Sequence, residues 1–304
     1  MARFPSCIMG TCVIPWSRQY DFQEDLFRHQ VSELLRVGTK HLYLFGTAGE
    51  GYAVTNRQFR EITRVFVEEM QRDEAEPMVG LISLSLPTII ERIEIARDLG
   101  VRQFQISLPG WGALSNAEVD LFFQETCGRF PDAQFLHYNL LRAKRLITPE
   151  EYGRLADRHA NLVATKNSTD SMLRIQGLMT HAPQLQHFLN ETGYLYGSTL
   201  RECGLLISVA ATNWNTGRAY FEAGLRKDVE TLTAMHRELV PLIAALIEAA
   251  GPGEKIDGAY DKILWKLHDD RFPLRLLPPY TAATDEGFQK FRETLREQFP
   301  AWAP

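Results

Sequence analysis

Cysteine is scarce in this chain. Only four occur, Cys7, Cys12, Cys127 and Cys203, and none falls in the paired C-x-x-C spacing of a zinc site. Such sparse use suits a reducing compartment, where thiols behave as small core residues. No apolar run approaches the roughly twenty residues that a spanning helix needs. The opening Met1-Ala2-Arg3-Phe4-Pro5-Ser6-Cys7 lacks the long apolar core of a secretion signal. Positive charge is not in excess: the formal balance is -5, spread along the chain, which offers no basic face to nucleic acid. The expectation is a soluble cytoplasmic protein with no structural metal, no nucleic-acid partner and no membrane span.

What is present is an ordinary globular balance, 45% apolar and 23% charged in 304 residues, enough for one large domain or two smaller ones. Short apolar runs alternate with amphipathic segments. Thr11-Cys12-Val13-Ile14-Pro15 reads as the first strand, and His41–Phe45, Pro77–Ile82, Gln103–Leu108, Gln134–Tyr138 and Leu162–Lys166 as the next five. Leu185–Leu189 is a weaker seventh and Leu205–Ala210 the eighth. Capping boxes at Thr55/Gln58, Ser115/Glu118 and Thr148/Glu151 open helices between them, the last with Pro149 at its first position. Phe59, Ile62, Phe66 and Met70 form one apolar helix face; Ile89, Ile93, Ala96 and Leu99 form another, with Gly100 as its stop.

Eight strands alternating with helices predict an α/β fold, a closed (β/α)8 TIM barrel over residues 1–226, with an open doubly wound sheet as the less economical alternative. From 227 to 304 the pattern is helical only, at Val229–Ala250, about Gly258–His268 and about Glu286–Phe299, which predicts a C-terminal helical extension packed on the barrel.

A barrel of this kind carries its chemistry at the C-terminal ends of its strands. The sixth strand ends at Lys166, and lysine is almost never buried unless it is paired or has a task. Desolvation favours its neutral, nucleophilic form. Strand five ends at Tyr138-Asn139, strand two runs into Gly46-Thr47-Ala48-Gly49-Glu50-Gly51, and strand four runs into Pro109-Gly110-Trp111-Gly112. Each has a plain structural reading when taken alone. The glycine loop has neither a P-loop lysine nor dinucleotide spacing, and Trp111 reads more readily as packing than as chemistry. His41, His137 and His187 lie within strands and read as structural. An amine, a phenol, a hydroxyl and an indole converging on one rim point to a site.

Gly46-Thr47-Ala48-Gly49-Glu50-Gly51 resembles the Gly-Thr-Thr-Gly-Glu motif of the dihydrodipicolinate synthase/N-acetylneuraminate lyase family. Tyr138-Asn139 resembles its Tyr-Asn motif, Lys166, 28 residues beyond Tyr138, its Schiff-base lysine, and Leu206-Ile207-Ser208-Val209 its eighth strand. The resemblance implies that Lys166 condenses with pyruvate or a related 2-oxo acid and that Tyr138 moves protons, with Thr47 linking it to a relay. It further implies that the amides around Thr47 and Ala48 hold the substrate carboxylate and that the carbonyl of Ile207 directs Tyr138 and the amine. No metal or organic cofactor is implied, and a homodimer or homotetramer is.

Four positions depart from the family pattern. Ala48 stands where a second hydroxyl is usual, and Trp111 where many members place a relay tyrosine; an indole donates a hydrogen bond but shuttles no proton. Arg142 follows Tyr138-Asn139 without the usual proline, which leaves its reach to the aldehyde's carboxylate open. Asn167 replaces a common glutamate. These departures argue against ordinary dihydrodipicolinate synthase activity. Three readings stand: an aldolase or lyase joining a 2-oxo acid to an aldehyde; a Schiff-base dehydratase or hydratase-aldolase of a sugar-derived 2-oxo acid; and, of another class, a barrel that binds a metabolite without turnover.

Overall fold

A computed structural model describes residues 2–304. Eight parallel strands, β1 (Ile8–Thr11), β2 (Leu42–Leu44), β3 (Met78–Gly80), β4 (Gln103–Ile106), β5 (Gln134–Asn139), β6 (Leu162–Asn167), β7 (Gln186–Leu189) and β8 (Gly204–Leu206), pair in chain order. β8 pairs back onto β1 through Ile8–Leu205 and Met9–Leu206, so the sheet closes and the open alternative falls. The helices between strands are α1 (Glu24–Val37), α2 (Asn56–Arg72), α3 (Leu86–Asp98), α4 (Asn116–Phe123), α5 (Pro149–Arg158), α6 (Met172–His181) and α7 (Glu191–Leu200). α8 (Trp214–Leu225) follows the last strand, and α9 (Val229–Ala250), α10 (Asp257–Lys266) and α11 (Asp285–Gln298) form the C-terminal helices.

All three capping boxes are made, and the expected face of α2 is buried. On α3, Leu99 is the exception: it is the C-cap residue and stays partly exposed, with Gly100 turning the chain at φ +96°. Two strands begin or end away from their hydrophobic runs. β1 ends where the expected strand begins, because Cys12–Ile14 continue past the paired segment as buried chain over the barrel rim. β8 stops at Leu206, and Val209–Thr212 coil into a short 3₁₀ turn. In both places apolar character reported burial, which a strand and a packed turn share.

The barrel interior is filled from below. Phe4 closes the bottom, its amide donating to Val163 O at 3.3 Å and its ring meeting Phe188 edge-on, and Met9, Met78, Leu136 and Ala164 fill the middle. His137 and His187 bond outside this core, to the Tyr152 hydroxyl (2.7 Å) and the Thr165 hydroxyl (2.8 Å), and serve structure as expected.

α10 is stapled to the barrel by Glu50 from the glycine loop. Its carboxylate accepts from Lys262 Nζ (2.6 Å), Trp16 Nε1 (2.8 Å) and the amide of Leu277 (2.7 Å), with both charged side chains fully buried. Burial pushes the Lys262 amine down to about 8, and the Glu50 charge opposes that fall. This staple holds α10 over the C-terminal mouth of the barrel.

Candidate active site

The mouth encloses a cavity of about 440 Å³. β5 and β6 pair Tyr138 with Lys166 in register, which brings phenol and amine side by side. Lys166 Nζ lies 3.8 Å from the centroid of the Tyr138 ring, and the residue is only 5% exposed. The same nitrogen donates to Tyr43 Oη at 3.0 Å. The Tyr43 ring passes so close to Gly46 that a Cβ there would sit 2.2 Å from a ring carbon, so the first glycine of the loop is what admits the ring.

Burial works against the Lys166 cation, while the Tyr138 and Tyr43 phenols and Asp257 favour it, and the balance lifts the amine above its ordinary value. The share of the phenols is felt as they ionise, in alkaline solution. The resting amine is therefore the ammonium, which has to lose a proton before it attacks a ketone.

Five of the seven residues singled out from sequence line this cavity: Ala48, Tyr138, Arg142, Lys166 and Ile207. The other two lie elsewhere. Thr47 is buried, its Oγ1 has no partner among the described residues, and the residue borders the neighbouring cavity of about 480 Å³ with Tyr52, Ser107 and Arg142. Trp111 is 88% exposed and lines neither cavity. The amides of Thr47 and Ala48 meet no backbone acceptor among the described residues, which leaves them available to a carboxylate. Arg142 does reach the cavity, and its guanidinium pairs with Asp257 at 3.0 Å.

Sequence reasoning missed Tyr43, Glu191, Ser208, Asp257 and Asp261, all of which line the cavity. Tyr43 carried a usable signal, since it alternates with the outward residues of β2. Asp257 and Asp261 share an i,i+4 face of α10, but nothing in the pattern said that α10, expected to pack on the barrel, would cover its mouth. Glu191 is buried at the start of α7 and accepts from the amides of Ser208 (2.7 Å) and Ala210 (3.1 Å), clamping the turn that follows Ile207. Its burial raises its carboxyl above the ordinary range. Asn139 performs a similar task after β5, exchanging hydrogen bonds with Ile147 and donating to Asn167 Oδ1 at 3.0 Å.

The fold and site thus define a closed parallel barrel with a buried amine between two phenols at its C-terminal mouth. The chain belongs to the dihydrodipicolinate synthetase family, whose profile matches residues 5–298, a family of lyases and aldolases. It is 24% identical over 279 residues to a 4-hydroxy-tetrahydrodipicolinate synthase of Thermosynechococcus vestitus, covering 91% of this chain and 90% of the relative. Among solved structures, a putative dihydrodipicolinate synthetase from Pseudomonas aeruginosa superposes with TM-score 0.85 at 17% identity, covering 97% of this chain and 99% of that one. YagE, a prophage protein of the same family from E. coli K12 in complex with pyruvate, superposes with TM-score 0.81 at 16% identity, over 96% and 98% of the two chains. At these identities the structural likeness speaks for the fold alone. Among the described residues no helix is long and apolar enough to cross a membrane.

Proposed function

We propose that this chain is a Schiff-base lyase or aldolase that condenses Lys166 with pyruvate or a related 2-oxo acid and makes or breaks a carbon–carbon bond to an aldehyde. The observation that carries this reading is the buried Lys166 amine, 3.0 Å from one phenol and 3.8 Å from the ring centre of another. The neutral amine adds to the ketone carbon, and the carbinolamine loses water to give an iminium, which draws electrons from the adjacent carbon and so stabilises the enamine. Tyr138 is the acid/base for the carbinolamine and for the aldehyde oxygen. The amides at Thr47 and Ala48 hold the 2-oxo acid carboxylate, and the Ile207 carbonyl, in the turn clamped by Glu191, helps to direct the amine.

Part of the cavity lining is acidic. Asp257, Asp261 and Glu191 belong to it, and Arg142 is already paired with Asp257, so an aldehyde bearing its own carboxylate meets a neutralised cation. That wall favours an electrophile with neutral hydroxyls over the acidic aldehyde of ordinary dihydrodipicolinate synthesis. The carboxyls of Asp257 and Asp261 also motivate the dehydratase as a second reading.

Borohydride reduction in the presence of pyruvate tests the Schiff base. Mass spectrometry is expected to find the reduced adduct on Lys166 and none in Lys166→Ala; a protein that gives no adduct is a binding barrel instead. Pyruvate release from candidate substrates separates the aldolase from the dehydratase, which sheds water and no pyruvate.

A further inference from the structure

A second, much smaller cavity of about 30 Å³ adjoins the Lys166 cavity. Thr11, Ile207, Ser208 and Asp261 border both. Gln30 of α1 and Trp265 of α10 close its far side. Gln30 is fully buried and its Oε1 accepts from the amide of Val13 at 2.9 Å, yet its Nε2 has no partner among the described residues. The buried indole Nε1 of Trp265 and the Thr11 hydroxyl likewise make no hydrogen bond of normal geometry there. Buried donors without acceptors are costly, so such a space is built for a polar occupant. Its size suits one water, and a water accepting from Thr11 and from one of Gln30 and Trp265, while donating to Asp261, makes three hydrogen bonds, the usual number.

The cavity also lies in line with the amine. Thr11 and Tyr43 are register partners across β1 and β2, and Tyr43 is the phenol that holds Lys166. Burial raises the Tyr43 phenol, and the Lys166 charge and the nearby Thr11 hydroxyl pull against that rise, so all three groups act on one another. Thr47 borders a different cavity, and Trp111, whose indole shuttles no proton, lines neither that cavity nor the Lys166 one.

We propose that this cavity holds one ordered water which, through Thr11 and Tyr43, connects the Lys166 amine to Asp261, so that Asp261 receives the proton the ammonium sheds before it attacks a ketone. The inference rests on the Schiff-base reading above. The ammonium gives a proton to Tyr43 Oη as the phenolic proton passes to Thr11, the threonine proton to the water, and a water proton to the Asp261 carboxylate. At the end each oxygen in the chain is again a neutral hydroxyl or water, the amine is neutral and Asp261 is a carboxylic acid. Asp261 acts through other groups and is a positioning residue. Burial pushes its carboxyl up to about 8, Asp257 on the same helix and Glu191 from α7 add to the rise, and Lys166 from β6 opposes it. The remaining titratable neighbour at the small cavity is His268, which burial holds below the ordinary imidazole value. A base near neutrality is suited to this transfer.

The test is the initial rate of borohydride trapping with pyruvate, followed across neutral to alkaline pH in the full-length protein. Asp261→Asn is expected to form the same adduct roughly 100-fold more slowly and to lose the wild-type inflection near pH 8. Gln30→Met, which fills the small cavity, is expected to slow trapping likewise, and a crystal structure of the wild type is expected to show one water between Gln30 and Trp265. If Gln30→Met does not fold, Trp265→Phe, which removes the other donor, takes its place. An adduct that folded variants form at the wild-type rate and pH profile overturns the relay alone. A wild type that gives no adduct at all overturns the Schiff-base reading, and the relay with it.

Discussion

A carboxyl that is buried beside other carboxyls is better off with its proton, and Asp261 is in that position. Its folded pKa, about 8, lies above the ordinary carboxylate value, so the native state binds a proton that the unfolded chain has already released. The stability that this proton supplies is therefore complete in acid and is lost as pH rises through the window up to about 8. Asp261→Asn, which never ionises, is expected to lack that slope and to exceed the wild type in stability by about 2–4 kcal/mol above pH 8. Denaturant unfolding at several pH values measures it; parallel curves for the two proteins would place the carboxyl in contact with bulk water. Residue by residue, the sequence was informative where chemistry is unusual for its place. A lysine at the end of an apolar strand is such a residue, and so is a phenol at the same level on the next strand. Asp257 and Asp261 were not, because charged residues on a helix are ordinarily solvated.

At the scale of elements, the Glu50–Lys262 pair decides where α10 sits. Removing one partner of a buried ion pair leaves the other charge stranded, and Glu50→Ala is expected to cost about 3–5 kcal/mol. Glu50→Ala combined with Lys262→Met is expected to recover part of that loss, since no charge is then left unpaired. A double-mutant cycle by denaturant unfolding checks this, and a single variant that loses under about 1 kcal/mol would show that the staple contributes little. The motif Gly49-Glu50-Gly51 is thus partly a fastening for the helical extension. Helix starts were legible because a capping box is a local contact over four residues, and Thr55, Ser115 and Thr148 each make one. Strand ends were less so, as β1 and β8 demonstrate, because pairing depends on neighbours distant in the chain.

At the scale of the molecule, three successive strand-to-helix loops each present a large apolar side chain to solvent: Leu84 at 63% exposure, Trp111 at 88% and Leu141 at 79%. Large exposed apolar surface marks contact sites, and we propose that these three side chains contribute to the interface of a homo-oligomer. Trp111→Glu is expected to lower the mass measured by light scattering from that of a dimer or tetramer to that of a monomer. An unchanged assembly, or a monomeric wild type, would remove these loops from any interface.

The alternation of apolar runs with capped amphipathic helices was enough to predict eight strands alternating with helices, because strand and helix periods are local properties of the chain; closure rests on the pairing of β8 with β1. Lys166 and Tyr138 were singled out because a barrel confines its chemistry to one rim and because their surroundings resemble a known family's motifs. The identity of the acidic lining did not follow. Asp261 between two cavities and the place of Trp111 outside the Lys166 cavity depend on how α10 docks over the mouth and on the paths of the loops. Those are long-range packing outcomes, set by a buried ion pair whose partners lie 212 residues apart in sequence, and no local pattern encodes them.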